Sequence, residues 1–125
     1  MNFKPKVLLV DDEPNILTAI EFLLEREGFV ISKAYNGLEA LEIADATIPD
    51  LIVLDVMMPG MDGFEVARHL RQNSKLDDTK IIFLTAKGAE QDRKNGYANG
   101  GEYYLIKPFD NDFFVSTIHE IMAYG

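Results

Sequence analysis

The chain reads as an α/β domain of the doubly wound kind, a parallel sheet carrying helices on both faces. Three observations predict this. Short apolar runs alternate with segments of helical periodicity five times along 125 residues, with no repeat, linker or low-complexity tract between them. Runs such as Leu51 to Leu54 are apolar throughout, as strands are when both faces are covered. Three runs also stop at an ionisable residue: Val7 to Val10 at Asp11 and Asp12, Leu51 to Leu54 at Asp55, and Tyr103 to Ile106 at Lys107. In an open parallel sheet the carboxyl ends of neighbouring strands meet at one crevice, so these charges are expected in a common pocket.

The elements follow in order. Val7 to Val10 is the first strand. Pro14 to about Glu27 is a helix with Ile16, Ile20, Leu23 and Leu24 on one stripe, opened by Pro14 and closed by Gly28. Phe29 to Ala34 is the second strand, and Asn36 caps a helix expected to turn Leu38, Leu41 and Ala44 inward. Pro49 breaks before the strand Leu51 to Leu54, and Pro59-Gly60 and Asp62-Gly63 mark the loop after it. The helix from about Phe64 to Gln72 buries Val66, Ala67 and Leu70 and shows Glu65, Arg68 and Arg71 to water. Ile81 to Leu84 is the fourth strand, ending at Thr85. Between Gly88 and Asn99 apolar residues are sparse, so a helix there packs lightly. The last strand ends at Lys107-Pro108, and Asp110 caps a final helix with Phe114, Ile118 and Ile121 at helical spacing.

Length and composition suit one globular domain over residues 1–125, with 47% hydrophobic and 26% charged residues arguing against a disordered or fibrous chain. No stretch reaches the length of a membrane helix, and the start turns acidic too soon for a secretory signal. The absence of cysteine rules out disulfides and thiolate metal sites and fits a cytoplasmic setting. With 12 Lys and Arg against 21 Asp and Glu, the net charge of −9 disfavours direct nucleic-acid binding. Most of the acids, including Glu21, Glu25, Glu27, Glu39 and Glu42, fall on helix faces where solvation accounts for them.

The acids at strand ends need another account. Asp11, Asp12 and Asp55 within a few ångströms would raise one another's pKa unless a cation intervenes. Magnesium suits an all-oxygen site held by one or two carboxylates and a phosphate, and the lack of His and Cys in this region argues against zinc. Asp12 has an alternative role as a cap for the helix at Pro14. A hydroxyl at Thr85 and an ammonium at Lys107 are what a phosphoryl group needs for binding. Neither a GxGxxG nor a GxxxxGK[ST] sequence is present, so the phosphate is expected to be covalent or transient, not a nucleotide's. Asp55, the lone acid at a central strand end, is then the best acceptor.

Val10-Asp11-Asp12-Glu13-Pro14, Leu54-Asp55-Val56-Met57-Met58-Pro59-Gly60-Met61-Asp62-Gly63, Leu84-Thr85-Ala86-Lys87, Ala98-Asn99-Gly100-Gly101 and Tyr104-Leu105-Ile106-Lys107-Pro108-Phe109 stand in this order along nearly the whole chain. They resemble the receiver domain of two-component response regulators, of the chemotaxis type. The resemblance implies a flavodoxin-like fold with strand order 2-1-3-4-5, five flanking helices and a site at the topological switch point. It implies that Asp55 accepts a phosphoryl group from the phosphohistidine of a sensor histidine kinase or a histidine phosphotransfer protein. Asp12, Asp55 and the Met57 backbone carbonyl would bind Mg²⁺, with Asp11 bound directly or through water. Thr85 and the Ala86 amide would hold phosphoryl oxygens, and Lys107, aimed by a cis bond to Pro108, would hold another.

By position Thr85 and Tyr104 are similar to the family's switch pair, in which the hydroxyl moves toward the phosphoryl group and the aromatic ring fills the space. The other reading of Tyr104 is an ordinary half-buried strand tyrosine. The Gly88 to Ala98 segment, the last strand and the last helix would form the output face toward a downstream protein or domain, with Arg93, Lys94, Tyr97 and Tyr103 as contacts. Met57 and Lys87 stand where the family tunes phosphate lifetime. Gly101-Glu102-Tyr103 departs from the family's usual Ala-Asp-Asp, away from the acidic pocket.

The expected role is thus a signalling module that catalyses only its own Mg²⁺-dependent phosphorylation and dephosphorylation, with no membrane or direct nucleic-acid partner. The alternative is a Mg²⁺-dependent aspartyl-phosphate phosphohydrolase resembling the haloacid dehalogenase class. Against it, Met57 stands where that class has its second acid. A flavodoxin-like cofactor binder fits poorly with an acidic pocket, and a receiver-like docking module that has lost phosphorylation fits poorly with intact key positions.

Overall fold

Each predicted strand is found, and so are the helices that flank four of them. The computed structural model describes residues 4–85, 103–107 and 109–124. Its elements are β1 (Lys6–Val10), α1 (Pro14–Arg26), β2 (Val30–Ala34), α2 (Gly37–Thr47), β3 (Leu51–Asp55), α3 (Gly63–Arg71), a 3-10 turn at Ser74–Leu76, β4 (Lys80–Thr85), β5 (Tyr103–Ile106) and α4 (Asn111–Tyr124). The strands form one parallel sheet in the order β2-β1-β3-β4-β5, as the resemblance implies. The helix expected between Gly88 and Asn99 lies outside the described residues, which hold four α-helices where five were expected. No helix among the described residues is long and apolar enough to cross a membrane.

Strand alternation splits the core into two layers. On one face Leu8, Val10, Ile52, Leu54, Ile81 and Phe83 pack against Ala40 and Ala44 of α2 and Val66, Ala67 and Leu70 of α3. On the other, Val7, Leu9, Leu51, Val53, Ile82 and Leu84 meet Leu17, Ile20 and Leu24 of α1 and Phe114, Ile118 and Ile121 of α4. Sequence periodicity gave the inward stripes of α3 and α4 correctly. In α1, Leu17 joins Ile20 and Leu24 in the buried set, while Ile16 and Leu23 flank it.

Two expectations fail. Leu38 does not face inward but is 67% exposed, because α2 approaches the sheet through Gly37, Ala40 and Ala44. A β-carbon on Gly37 would come within 2.9 Å of Val66 and 3.1 Å of Met61, so small residues set the phase of this helix. Arg71 is not simply a solvated charge: its guanidinium donates to the Leu76 carbonyl at 2.9 Å and ties α3 to the 3-10 turn.

The helix ends are well specified. Asn36 accepts from the Glu39 amide at 2.9 Å, while the Glu39 carboxylate accepts from the Tyr35 amide at 2.7 Å, a reciprocal capping box. Asp62 caps α3 by accepting from the Glu65 amide, and Asp110 accepts from the Phe113 amide at the start of α4. Gly28, with φ of +91°, closes α1. Ile48 closes α2 in the left-handed region at φ of +47°, its amide bonded to the Ala44 carbonyl.

Candidate functional site

Register explains why charges scattered in sequence meet in space. Val10 lies opposite Leu54, so Asp11 and Asp55 follow at the same level on adjacent strands. Thr85 lies opposite Ile106, so Lys107 follows one position beyond, and its amide donates to the Thr85 carbonyl at 2.7 Å. Asp11, Asp55 and Lys107 share the sheet parity that faces α1 and α4; Thr85 has the parity of Phe83 and Tyr104 on the other face.

The side chains converge. Asp11 and Asp55 are only 2% and 5% exposed, whereas Asp12 is open to solvent. Carboxylate oxygens of all three lie within 4.8 Å of one another. The Lys107 ammonium sits 3.1 Å from Asp11 Oδ2 and 3.1 Å from Asp55 Oδ1, bridging the two buried acids. The other Asp11 oxygen, Oδ1, accepts from the Glu13 amide at 2.9 Å. Glu13 occupies the N-cap position of α1, so Asp12 does not serve as its cap.

Burial pushes the Asp55 carboxyl from its ordinary 3.8 up to about 6, and the charge of Asp11 adds to this. The Lys107 ammonium opposes the rise, and Asp12 contributes a smaller push upward. For Lys107 burial works against the charge, but the hydrogen bond to Asp11 and the charges of Asp55 and Asp11 outweigh it, leaving the ammonium above its usual range. At neutral pH Asp55 is therefore ionised and held beside one fixed cation, the Lys107 ammonium. An all-oxygen set of three clustered acids, with no His or Cys in the group, is the chemistry of a site for a hard divalent ion.

The loop after β3 is held against this pocket by close backbone approach. The Val56 amide donates to the Leu84 carbonyl, and the Val56 carbonyl accepts from both the Met58 and Gly63 amides. A β-carbon on Gly63 would sit 2.4 Å from the Asp55 carbonyl oxygen and 2.8 Å from Val56 Cα. Only glycine lets α3 start this close to the acidic strand end. Gly63 was legible as a turn signal, but this tighter role was not. Met57 follows Asp55 by two residues, with a side chain 53% exposed at the rim.

Among the remaining sequence-predicted residues, Thr85 is fully buried at the end of β4. Tyr104 is half-buried, with its ring 6.4 Å from that of Phe83. Tyr103 is also half-buried and packs against the layer under α1 and α4. Phe109, which sequence reasoning gives no site role, stacks on Phe114 with centroids 4.7 Å apart and anchors the segment after Lys107 to α4. Ala86, Lys87, Arg93, Lys94, Tyr97 and the Lys107-Pro108 bond geometry lie outside the described residues.

Comparison with known proteins agrees with this geometry. The response regulator receiver domain family matches residues 7–119. The DNA-binding dual master transcriptional regulator RpaA of Synechocystis is 35% identical over 118 residues, covering 94% of this chain and 49% of that protein. The alkaline phosphatase synthesis transcriptional regulatory protein PhoP of Bacillus subtilis is 46% identical over 104 residues, covering 83% of this chain and 42% of that protein. The chain thus spans about half the length of these curated relatives or less. Among solved structures, the chemotaxis protein CheY4 of Vibrio cholerae superposes with a TM-score of 0.91 at 33% identity, covering 95% of this chain and 99% of that one. None of these similarities favours the phosphohydrolase alternative.

Proposed function

The chain belongs to the response regulator receiver domain family, and on that premise we propose that Asp55 is its phospho-acceptor, working with Mg²⁺ and a phosphohistidine donor. The observation that carries this reading is the bridged acid pair: a nearly buried carboxylate at the end of a central strand, 3.1 Å from an ammonium shared with a second buried carboxylate. The donor would be a sensor histidine kinase or a histidine phosphotransfer protein. One receiver domain over residues 1–125, acting in the cytoplasm on a downstream protein or domain, is part of the same reading.

The chemistry follows from the pocket. Transfer forms an O–P bond at an Asp55 carboxylate oxygen as the N–P bond of the donor histidine breaks, and the leaving imidazole takes a proton from solvent. Asp55 must attack in its ionised form. A pKa of about 6 leaves it ionised at neutral pH and more basic than an ordinary aspartate. Asp11, Asp12, Asp55 and the Met57 carbonyl would hold Mg²⁺. When bound, the ion offsets carboxylate repulsion and draws off the charge of the transferring phosphoryl oxygens. Lys107 is positioned to take one phosphoryl oxygen, and the Thr85 hydroxyl and Ala86 amide take the others.

Phosphorylation adds about −1.5 to −2 charges and three strong acceptors at one strand end. Thr85 and Tyr104 share one sheet face, so a hydroxyl drawn toward the phosphoryl group would free space on the side where Tyr104 packs. The output face through which this would be read comprises Arg93, Lys94, Tyr97, Tyr103 and the last helix. The test is incubation with phosphoramidate or acetyl phosphate. The intact mass should rise by one phosphoryl group with Mg²⁺ and stay unchanged with chelator. No mass gain for the native chain under either condition refutes the reading.

A further inference from the structure

The start of α2 sets up a reaction that the chain can carry out on itself. We propose that Asn36 is a modification site, converting spontaneously to aspartate or isoaspartate through attack by the Gly37 amide, at a rate set by opening of the α2 capping box. This inference is independent of the phosphoryl and metal reading above.

Packing puts the labile pair there. A β-carbon at 37 would meet Val66 at 2.9 Å and Met61 at 3.1 Å, so the residue after Asn36 has to be glycine. Glycine is also the residue that least hinders its own amide nitrogen and most readily lets the backbone rotate. Asn36 is exposed, and Gly37, as the first residue of α2, has an amide that the helix ladder does not use. After losing its proton that nitrogen attacks Asn36 Cγ, a new C–N bond closes a five-membered imide, and the side-chain nitrogen leaves as ammonia. Water then opens the ring: addition at Cγ yields aspartate, addition at the main-chain carbonyl yields isoaspartate, and the departing nitrogen regains its proton.

The folded turn holds this reaction back. Ring closure needs the Asn36 β-carbon eclipsed with the Gly37 nitrogen, well away from the ψ of 173° found here. The Asn36 side-chain oxygen accepts from the Glu39 amide at 2.9 Å, its main-chain carbonyl from the Ala40 amide at 3.0 Å, and the Glu39 carboxylate from the Tyr35 amide at 2.7 Å. Conversion therefore waits for the first turn of α2 to open. Aspartate at 36 keeps the cap and suits the positive end of the helix, whereas isoaspartate adds a methylene to the main chain and loses the register of these bonds. Either product brings a carboxylate to the end of the sheet where Asp11 and Asp12 stand, because the Asp11 amide donates to the carbonyl of Ala34, two residues before Asn36.

The test is timed incubation of the full chain at mildly alkaline pH, with peptide mass mapping for the amide-to-acid change and enzymatic methylation to count isoaspartate. In guanidinium chloride Asn36, Asn95 and Asn99, each followed by glycine, should convert at similar rates, which sets the unhindered rate. In the folded chain Asn36 should convert measurably but at least about tenfold more slowly than in denaturant. Glu39→Ala removes the bond to the Tyr35 amide and should speed conversion of the folded chain about fivefold, the opening that loss of one capping bond allows. Glu39→Gln keeps an acceptor for that amide and should stay within about twofold of the native rate. Circular dichroism checks that each variant is folded during the incubation. Equal rates in the folded and denatured chain overturn the inference, and so does a Glu39→Ala rate no faster than native or a Glu39→Gln rate as fast as that of Glu39→Ala. No conversion in any folded chain while the denatured chain converts fully overturns it as well.

Discussion

Replacing Asp55 by Asn should make the metal-free protein more stable at neutral pH. Asp55 is 5% exposed and shares its pocket with two other carboxylates, and its pKa is raised from 3.8 to about 6. A folded-state pKa above the unfolded value means that the native state holds more protons between these limits, so stability falls as pH rises through the window. The penalty is absent below 3.8 and complete above about 6. At 1.36 kcal/mol per pKa unit it amounts to about 3 kcal/mol, already net of the compensation from Lys107. Asn keeps the shape and an oxygen that can accept from Lys107 but carries no charge, so Asp55→Asn should recover most of it.

For a domain of this size the gain is roughly 10 °C in melting temperature. Urea melts of both proteins in chelator at about pH 4 and about pH 7.5 check the claim, with the difference near zero at the lower pH and about 3 kcal/mol at the higher. A variant no more stable than the native chain at the higher pH would refute the electrostatic argument. So would an advantage equally large at both.

If the acidic cluster holds Mg²⁺ as proposed, the ion should raise the melting temperature of the native chain, since a ligand of the folded state stabilises it, and Asp12→Ala should abolish that rise; an unchanged rise in the variant would remove Asp12 from the metal shell. Gly63→Ala should destabilise the fold by about 2–3 kcal/mol, since the new methyl meets the Asp55 and Val56 backbone, which cannot yield as a side chain would. The same variant should lower the rate of phosphorylation by small-molecule donors, by displacing the loop behind Asp55; a native rate would show that this close approach does not position the acceptor.

Much of this architecture could be read from the sequence because buried parallel strands leave an unmistakable trace. Val7 to Val10 and Leu51 to Leu54 are apolar at every position, and their ends are marked by charge. The alternation gave the fold class; the strand order came from the family resemblance, since no local pattern says which strands are neighbours. Leu38 was misplaced because hydrophobicity was weighed without size. Where a helix sits close to a sheet, Gly37 and Ala40 face inward and a leucine beside them stays in water. Ile48 was not legible as a left-handed helix terminus because a β-branched residue is among the least expected there.

At the site, residue types were legible and their couplings were not. Asp11 and Lys107 are 96 positions apart, and only the register of β1, β3, β4 and β5 brings the ammonium to the carboxylate. The capping alternative for Asp12 fails for a local reason instead: the chain enters α1 one residue later, with Glu13 at the N-cap.

The central claim is that Asp55, and no other acid of the cluster, carries the phosphoryl group. Borohydride reduces an acyl phosphate to the alcohol, so a chain treated with phosphoramidate and Mg²⁺, then reduced and mapped by peptide mass, should show homoserine at position 55. Homoserine at 11 or 12, or unmodified aspartate at all three in a chain that had taken up phosphate, would contradict it.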